Sequence, residues 1–275
     1  MKNRLLPWGL ALPAILLVAI FLGLPVIETL LTTFADPKGA FAPYIKFFNS
    51  GFRRTVLWRT MEVAVITTVL SVLIGFVTAW VVANAPAKAK SYLIIAAVFP
   101  LLTGVVVRSF AWLVILGKNG ILNSLLLALG IISEPFSMLY TQGAVIVAMV
   151  YLFVPLMILT CVGVLEGIPQ DLTDAAASLG ATQWGVFKQV ILPMAVPGLI
   201  VGAVLVFTGS FTSYATPQLL GGERQMMMGT FLHQRAMVVF DWVGASTIAA
   251  IMVVVTLATV LLMSKLARKL NPVAG

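Results

Sequence analysis

Histidine and cysteine are nearly missing: His233 and Cys161 are the single examples in 275 residues. One cysteine allows no internal disulfide, and this pair alone cannot ligate a metal. Cys161 therefore reads as a small apolar filler in a helix. Neither H-E-x-x-H nor G-x-S-x-G occurs, and His233 has no nucleophile beside it in sequence. The signatures of an intramembrane enzyme are absent, so no catalytic and no metal-binding residues are expected. Charge is scarce as well. Asp, Glu, Lys and Arg make up 9% of the chain, where a soluble domain carries about a quarter. The formal charge is +8, yet no basic run exceeds Arg53-Arg54 and no aromatic–basic interleaving goes with it, which argues against nucleic acid as a partner. No carboxylate falls in the middle of an apolar stretch, Glu28 and Glu62 lying near the ends, and no internal repeat is evident. A stand-alone ion-coupled secondary carrier would call for a mid-span carboxylate or an interrupted helix. It is kept as the alternative.

What is present is apolar: 61% of residues are hydrophobic and the mean hydropathy is +1.08. Crossing a bilayer takes about 20 residues, and six segments of low charge reach that length: 8–33, 62–83, 92–116, 143–165, 198–219 and 244–264. Long apolar runs without two-residue alternation must be helices, because lipid offers the backbone no other partner. The fold class predicted is all-α, a polytopic membrane protein. Pro13, Pro25, Pro100 and Pro155 lie inside spans and predict kinks. Lys2 and Arg4 precede an apolar stretch too long for a cleaved signal, so it reads as a retained first span. The chain reads as one transmembrane domain, 1–275, with a core at 60–265 and a polar inner loop at 166–197. An even number of spans puts both termini on one side. The basic residues divide evenly between the two sides, so charge does not orient the chain. Lys38, Lys46, Arg53, Arg54 and Arg59 crowd the outer loop 34–61, where "YIKFFNSGFRRTVLW" predicts an interfacial amphipathic piece.

The inner loop has chemistry of its own. Pro169 suits a first helical turn, and Asp171 and Asp174 sit near that helix's positive end. Leu172, Ala175, Ala176 and Leu179 make an i, i+3, i+4, i+7 stripe. Gly180 is a natural stop, and Thr182 can cap a second short helix running to Leu192. Pro193 and Pro197 are expected to end that helix and redirect the chain into the fifth span. By periodicity alone the segment can equally be an ordinary connecting loop. Asp174-Ala175-Ala176, three residues, Gly180, nine residues, then Val190-x-Leu192-Pro193 resembles the E-A-A-x3-G-x9-I-x-L-P loop. That loop marks the membrane subunits of binding-protein-dependent ABC importers, with Asp here for Glu and Val for Ile. "FPLLTGVVVRSFAWLVILGKNGILNSLLLALG" and "TPQLLGGERQMMMG", with "DWVGAS", are similar to the spermidine/putrescine-type branch of such permeases.

The resemblance implies a type I importer permease fold with a cytoplasmic coupling helix. It implies a bacterial inner-membrane location with both termini cytoplasmic, and assembly with a cytoplasmic ATPase dimer, a second permease, similar but non-identical, and a periplasmic binding protein. ATP and Mg would be held by the ATPase, and this chain would need no cofactor. Asp171, Asp174, Ala175, Ala176, Leu179 and Gly180 would carry ATPase coupling, with Leu192 and Pro193 setting the exit angle. For the pathway, Arg108 is the one charge deep in a span. It is either a structural arginine on backbone carbonyls or a group lining the cavity. "FTGSFTSYATP" gathers Thr208, Ser210, Thr212, Ser213 and Tyr214 in the outer half of the fifth span. These hydroxyls either bond their own helix or line a pathway wall. Gly198-x-x-x-Gly202 reads as helix packing, and Met226 to Met228 as flexible packing beneath a loop. Where the polyamine branch often carries acids, Ser213 and Gln218 are neutral. The resemblance therefore implies a small polar solute, polyamine-like or a related amino compound, with much of the specificity set by the binding protein. The outer loops 34–61 and 221–243 are where that protein would touch.

Overall fold

In the computed structural model, residues 6–34, 36, 37 and 39–270 are described. Lys2, Arg4 and Lys38, and the side chain of Arg268, lie outside what is described. Every regular element among the described residues is helical. Six stretches are long and apolar enough to cross a membrane: Ala11–Thr32, Gly51–Ala83, Val105–Ala128, Gln142–Glu166, Gln183–Thr212 and Trp242–Leu266. The predicted number holds, but three boundaries move for physical reasons.

In chain order the helices are α1 (Leu6–Val18), α2 (Leu24–Thr32), α3 (Ala42–Asn49), α4 (Gly51–Ala83), α5 (Ala87–Leu102), α6 (Val105–Leu116) and α7 (Ile121–Ala128). They continue with α8 (Gln142–Glu166), α9 (Gln170–Ser178), α10 (Gln183–Val186), α11 (Leu192–Thr212), α12 (Ala215–Leu220), α13 (Met228–His233) and α14 (Trp242–Leu270). The chain divides into two compact units, one of residues 1–55 with 231–254, the other of 56–230 with 255–275.

The first correction concerns the outer loop. The predicted interfacial piece splits at Ser50, which is extended (ψ 117°). Arg53, Arg54 and Arg59 then belong to α4, and Glu62 lies well inside that helix instead of at a span end. The second concerns the third span. Residues 92–116 form two helices, because α5 stops at Leu102 and Gly104 is extended (ψ 143°) before α6 begins. The third concerns the fifth span. Helical structure runs from Gln183 to Thr212 without a break at Pro193 or Pro197, and Ser213 (ψ 139°) separates it from α12.

A π turn explains how proline is tolerated there. Residues Phe187–Ile191 are wound as π-helix, and the N–H of Leu192 donates to the carbonyl of Phe187, five residues back. The wider turn draws the carbonyl four residues before Pro193 away from its ring, removing the usual clash. The same device recurs in the first span: Ala19–Gly23 is π-helix, Leu24 donates to Ala19, and Pro25 follows.

In the larger unit, α4, α8 and α11 close on one core made of Phe76, Ala79 and Val82, Met157, Ile158, Cys161 and Val162, and Ala195 and Val206. Cys161 is the apolar filler expected. A second core joins Val63, Val145, Ala148, Met149, Leu220 and Met227, so the methionine run is packing, as read. Gly198 and Gly202 face α8: a Cβ on Gly198 would stand 2.6 Å from Val164 Cγ2, and one on Gly202 2.6 Å from Thr160 Oγ1. In the smaller unit, Tyr44 Oη donates to Thr33 Oγ1 at 2.9 Å, and Phe34, Phe41 and Tyr44 form a ring cluster.

Candidate functional site

The inner loop folds as a helix, a locked turn and a second helix. Pro169, extended at ψ 130°, precedes α9, and Asp171 occupies the first turn, where a carboxylate complements the helix dipole. Asp174 accepts from Gln170 Nε2 at 3.3 Å. At the other end Gly180 takes φ +88°. The N–H of Gly180 donates to Ala177 and that of Ala181 to Ala176, the paired bonds of a Schellman stop. Thr182 then caps α10, its Oγ1 accepting from Gly185 N at 3.2 Å. Glycine, stop and cap all fall where sequence placed them.

Among the described residues, little covers the stripe on α9. Leu172 and Ala175 are exposed, Ala176 is half-buried, and Leu179 is 90% exposed. The open leucine lies beside alanines whose small side chains leave room for another backbone to approach. Around the turn lies a hollow of about 380 Å³ lined by Ala176, Leu179, Gly180, Ala181, Thr182, Gly185 and Gln189.

The attachment of this segment to the membrane helices was not anticipated. Phe187, in the π turn, stacks on Trp184 (5.2 Å, 19°), meets Trp80 edge-on (5.7 Å) and lies tilted against Phe76 (6.1 Å, 46°), both on α4. Trp184 itself remains 70% exposed. Lys90 Nζ reaches Glu166 Oε1 at 2.8 Å, tying the start of α5 to the end of α8. That pair borders a cavity of about 470 Å³, with Trp80, Asn84, Gln170, Thr173 and Ile191 among its walls. The aromatic spacing in "WGVF" is the signal that could have revealed this clamp. Lys90 and Glu166 are too far apart in sequence to be paired by inspection.

Arg108 is 7% exposed. Its Nη1 donates to the carbonyl of Pro100, which also accepts from Thr103 Oγ1 at 2.9 Å. The break at Thr103–Gly104 leaves that carbonyl without its helical donor, and Arg108 supplies one. An arginine bonded to a backbone carbonyl is one of the two arrangements expected for it. It also bears on the carrier alternative: the helix is interrupted, as a carrier would require, but a guanidinium occupies the freed carbonyl where a cation would have to bind.

The hydroxyls of the fifth span differ in burial and bonding. Ser210 is fully buried and Thr208 half-buried, and neither hydroxyl has a hydrogen-bond partner among the described residues. Thr212, exposed, bonds back to the Thr208 carbonyl at 2.8 Å. Ser213 is extended and half-buried, Tyr214 is 37% exposed, and Gln218 is exposed on α12. Leu192 and Pro193 begin α11 inside a continuous helical run.

A family model described as "Binding-protein-dependent transport system inner membrane component" matches residues 9–272. The spermidine/putrescine transport system permease protein PotB of Haemophilus influenzae is 32% identical over 206 residues, 75% of this chain and 72% of its own length. The Escherichia coli protein of the same name is 30% identical over 203 residues, 74% of each chain. In fold, the chain is similar to one in the crystal structure of a bacterial alginate ABC transporter bound to its alginate-loaded periplasmic protein. The TM-score is 0.84 at 18% identity, over 98% of this chain and 96% of that one.

Proposed function

This chain belongs to the binding-protein-dependent transport system inner membrane components, and from that premise we propose that its α9–α10 segment is the part an ATPase moves. The protein is a multi-pass inner-membrane permease subunit of an ATP-driven importer, and hydrolysis is carried out by a separate subunit. Residues 1–275 act as a single permease domain with both termini in the cytoplasm. The partners are a cytoplasmic ATPase dimer that holds ATP and Mg, a second permease, similar but non-identical, and a periplasmic binding protein; this chain itself carries no cofactor.

The observation that carries the reading is the uncovered stripe of α9 ending in the Gly180 turn. Asp171, Asp174, Ala175, Ala176, Leu179 and Gly180 make the docking surface, and Leu192 and Pro193 hold the segment's helical continuation into α11. A stop closed by two hydrogen bonds and a Phe187 clamp on Trp80 and Phe76 make a stiff connection. Movement imposed at α9 therefore reaches α4 and α11 instead of dissipating in a loop. Docking can act on the pathway because α4, α8 and α11 share one core.

The cargo is a small polar solute, polyamine-like or a related amino compound. The names of the relatives support this class. Neutral Ser213 and Gln218 place the recognition of positive charge outside those two positions. Thr208, Ser210, Thr212, Ser213 and Tyr214 are assigned to the pathway, and the buried, unbonded hydroxyls of Thr208 and Ser210 are its best-supported members. Arg108 shapes that route by holding the α5–α6 break. Uptake into proteoliposomes containing the whole importer tests the reading. Accumulation of labelled spermidine or putrescine should require both ATP and the binding protein. Uptake driven by an ion gradient without ATP would contradict it.

A further inference from the structure

The smaller unit holds a charged cavity of about 60 Å³ that the transport reading does not use. Lys46 of α3, Arg53 of α4 and Arg235 line it, together with Asp36 and Asp241. Asp241 is committed on both oxygens: Oδ1 accepts from Gly244 N at 2.9 Å, and Oδ2 lies 3.6 Å from Arg235 Nη1. Arg235 is held over the Phe231 ring at 5.2 Å. Among the described residues no carboxylate oxygen lies within 4.0 Å of Lys46 or Arg53. Cations therefore outnumber carboxylates around a space holding about two waters, or one compact oxyanion. An arginine fork matches a phosphate in two places at once.

Position selects the source. Phe41, Ile45 and Phe48 are exposed along one face of α3, while Pro43 and Phe47 are buried and, with Lys46, turn toward the cavity. A short helix with an apolar outer face and Lys46 toward the cavity is the kind that settles among lipid headgroups. We propose that this cavity binds the phosphate of an anionic phospholipid, whose acyl chains run along the exposed face of α3.

The test uses the whole importer purified in mild detergent, with retained phospholipid read by native mass spectrometry. A phosphatidylglycerol should remain on the wild-type complex and be lost at least tenfold more readily from Lys46→Gln/Arg53→Gln. Arg53→Gln alone should already weaken retention, whereas Arg54→Gln removes the same single charge from an exposed neighbour that does not line the cavity, and should retain the lipid. Should the double variant fail to assemble, Arg53→Lys keeps the charge without the fork and should show intermediate loss. Equal retention in all variants, or equal loss with Arg54→Gln, overturns the site. Thermal stabilisation by inorganic phosphate, lost in the double variant while no lipid is retained, would assign the cavity to a soluble oxyanion and overturn the lipid source. Unchanged lipid with weakened binding-protein affinity would overturn it in favour of an acidic side chain. None of these readouts depends on transport, so failure here is distinct from failure of the importer reading.

Discussion

Gly180 sits at φ +88° with nothing within 4 Å of where a Cβ would stand. The requirement for glycine is thus conformational, not spatial, and an L-residue there costs about 1–2 kcal/mol. Gly180→Ala should leave the fold intact but loosen the turn. Transport-linked ATPase activity should fall several-fold while the amount of membrane-inserted protein is unchanged. Phe187 gives a second, independent handle on the same connection. Phe187→Ala removes the stack on Trp184 and the contacts with Trp80 and Phe76, so ATP hydrolysis should continue while substrate uptake falls. Phe187→Trp should retain most uptake. Arg108 separates structure from pathway. Losing a charged donor to the Pro100 carbonyl is worth about 1.5–3 kcal/mol, so Arg108→Met should lower the unfolding temperature, and Arg108→Gln should recover part of the loss. Uptake KM should stay the same in both; a KM shift at unchanged stability would place Arg108 in the substrate route.

At the level of elements, the α8–α11 contact depends on absent side chains. A Cβ at Gly198 would meet the branched Val164, which is stiff at χ1. Gly198→Leu should therefore destabilise by at least ~1–3 kcal/mol, seen as a lower unfolding temperature or loss of monodisperse protein. This interface was legible in the sequence because glycines at four-residue spacing have one helical meaning. Thr182 and Gly180 were legible for the same reason: cap and stop are local chemistry. The α5–α6 break was not. Thr103-Gly104 within an apolar run carries little local signal, and a buried arginine elsewhere makes the interruption tolerable. Nor was the continuity of helix through Pro193, since proline normally ends a helix and only the preceding π turn lifts the clash. The Phe187 clamp and the Lys90–Glu166 pair depend on which helices become neighbours, a fact that periodicity does not contain.

For the whole molecule, span count and class followed from hydropathy, whereas orientation did not, because basic residues divide evenly between the two sides. The proposed role of the inner loop supplies the orientation that charge did not. Under the proposed coupling role, the face that carries the exposed stripe is the cytoplasmic one and the outer loops are left to the binding protein. In the proposed assembly, the large exposed apolar surface of the membrane helices meets both lipid and a second permease. The most direct measurement is co-purification of the ATPase subunit with the affinity-tagged chain, expressed together with its transport partners. Wild-type chain should bring down the ATPase, and Gly180→Trp, correctly inserted and monodisperse, should lose it. An ATPase that stays bound at wild-type levels to Gly180→Trp would contradict the account, as would a chain that comes out alone and still moves solute.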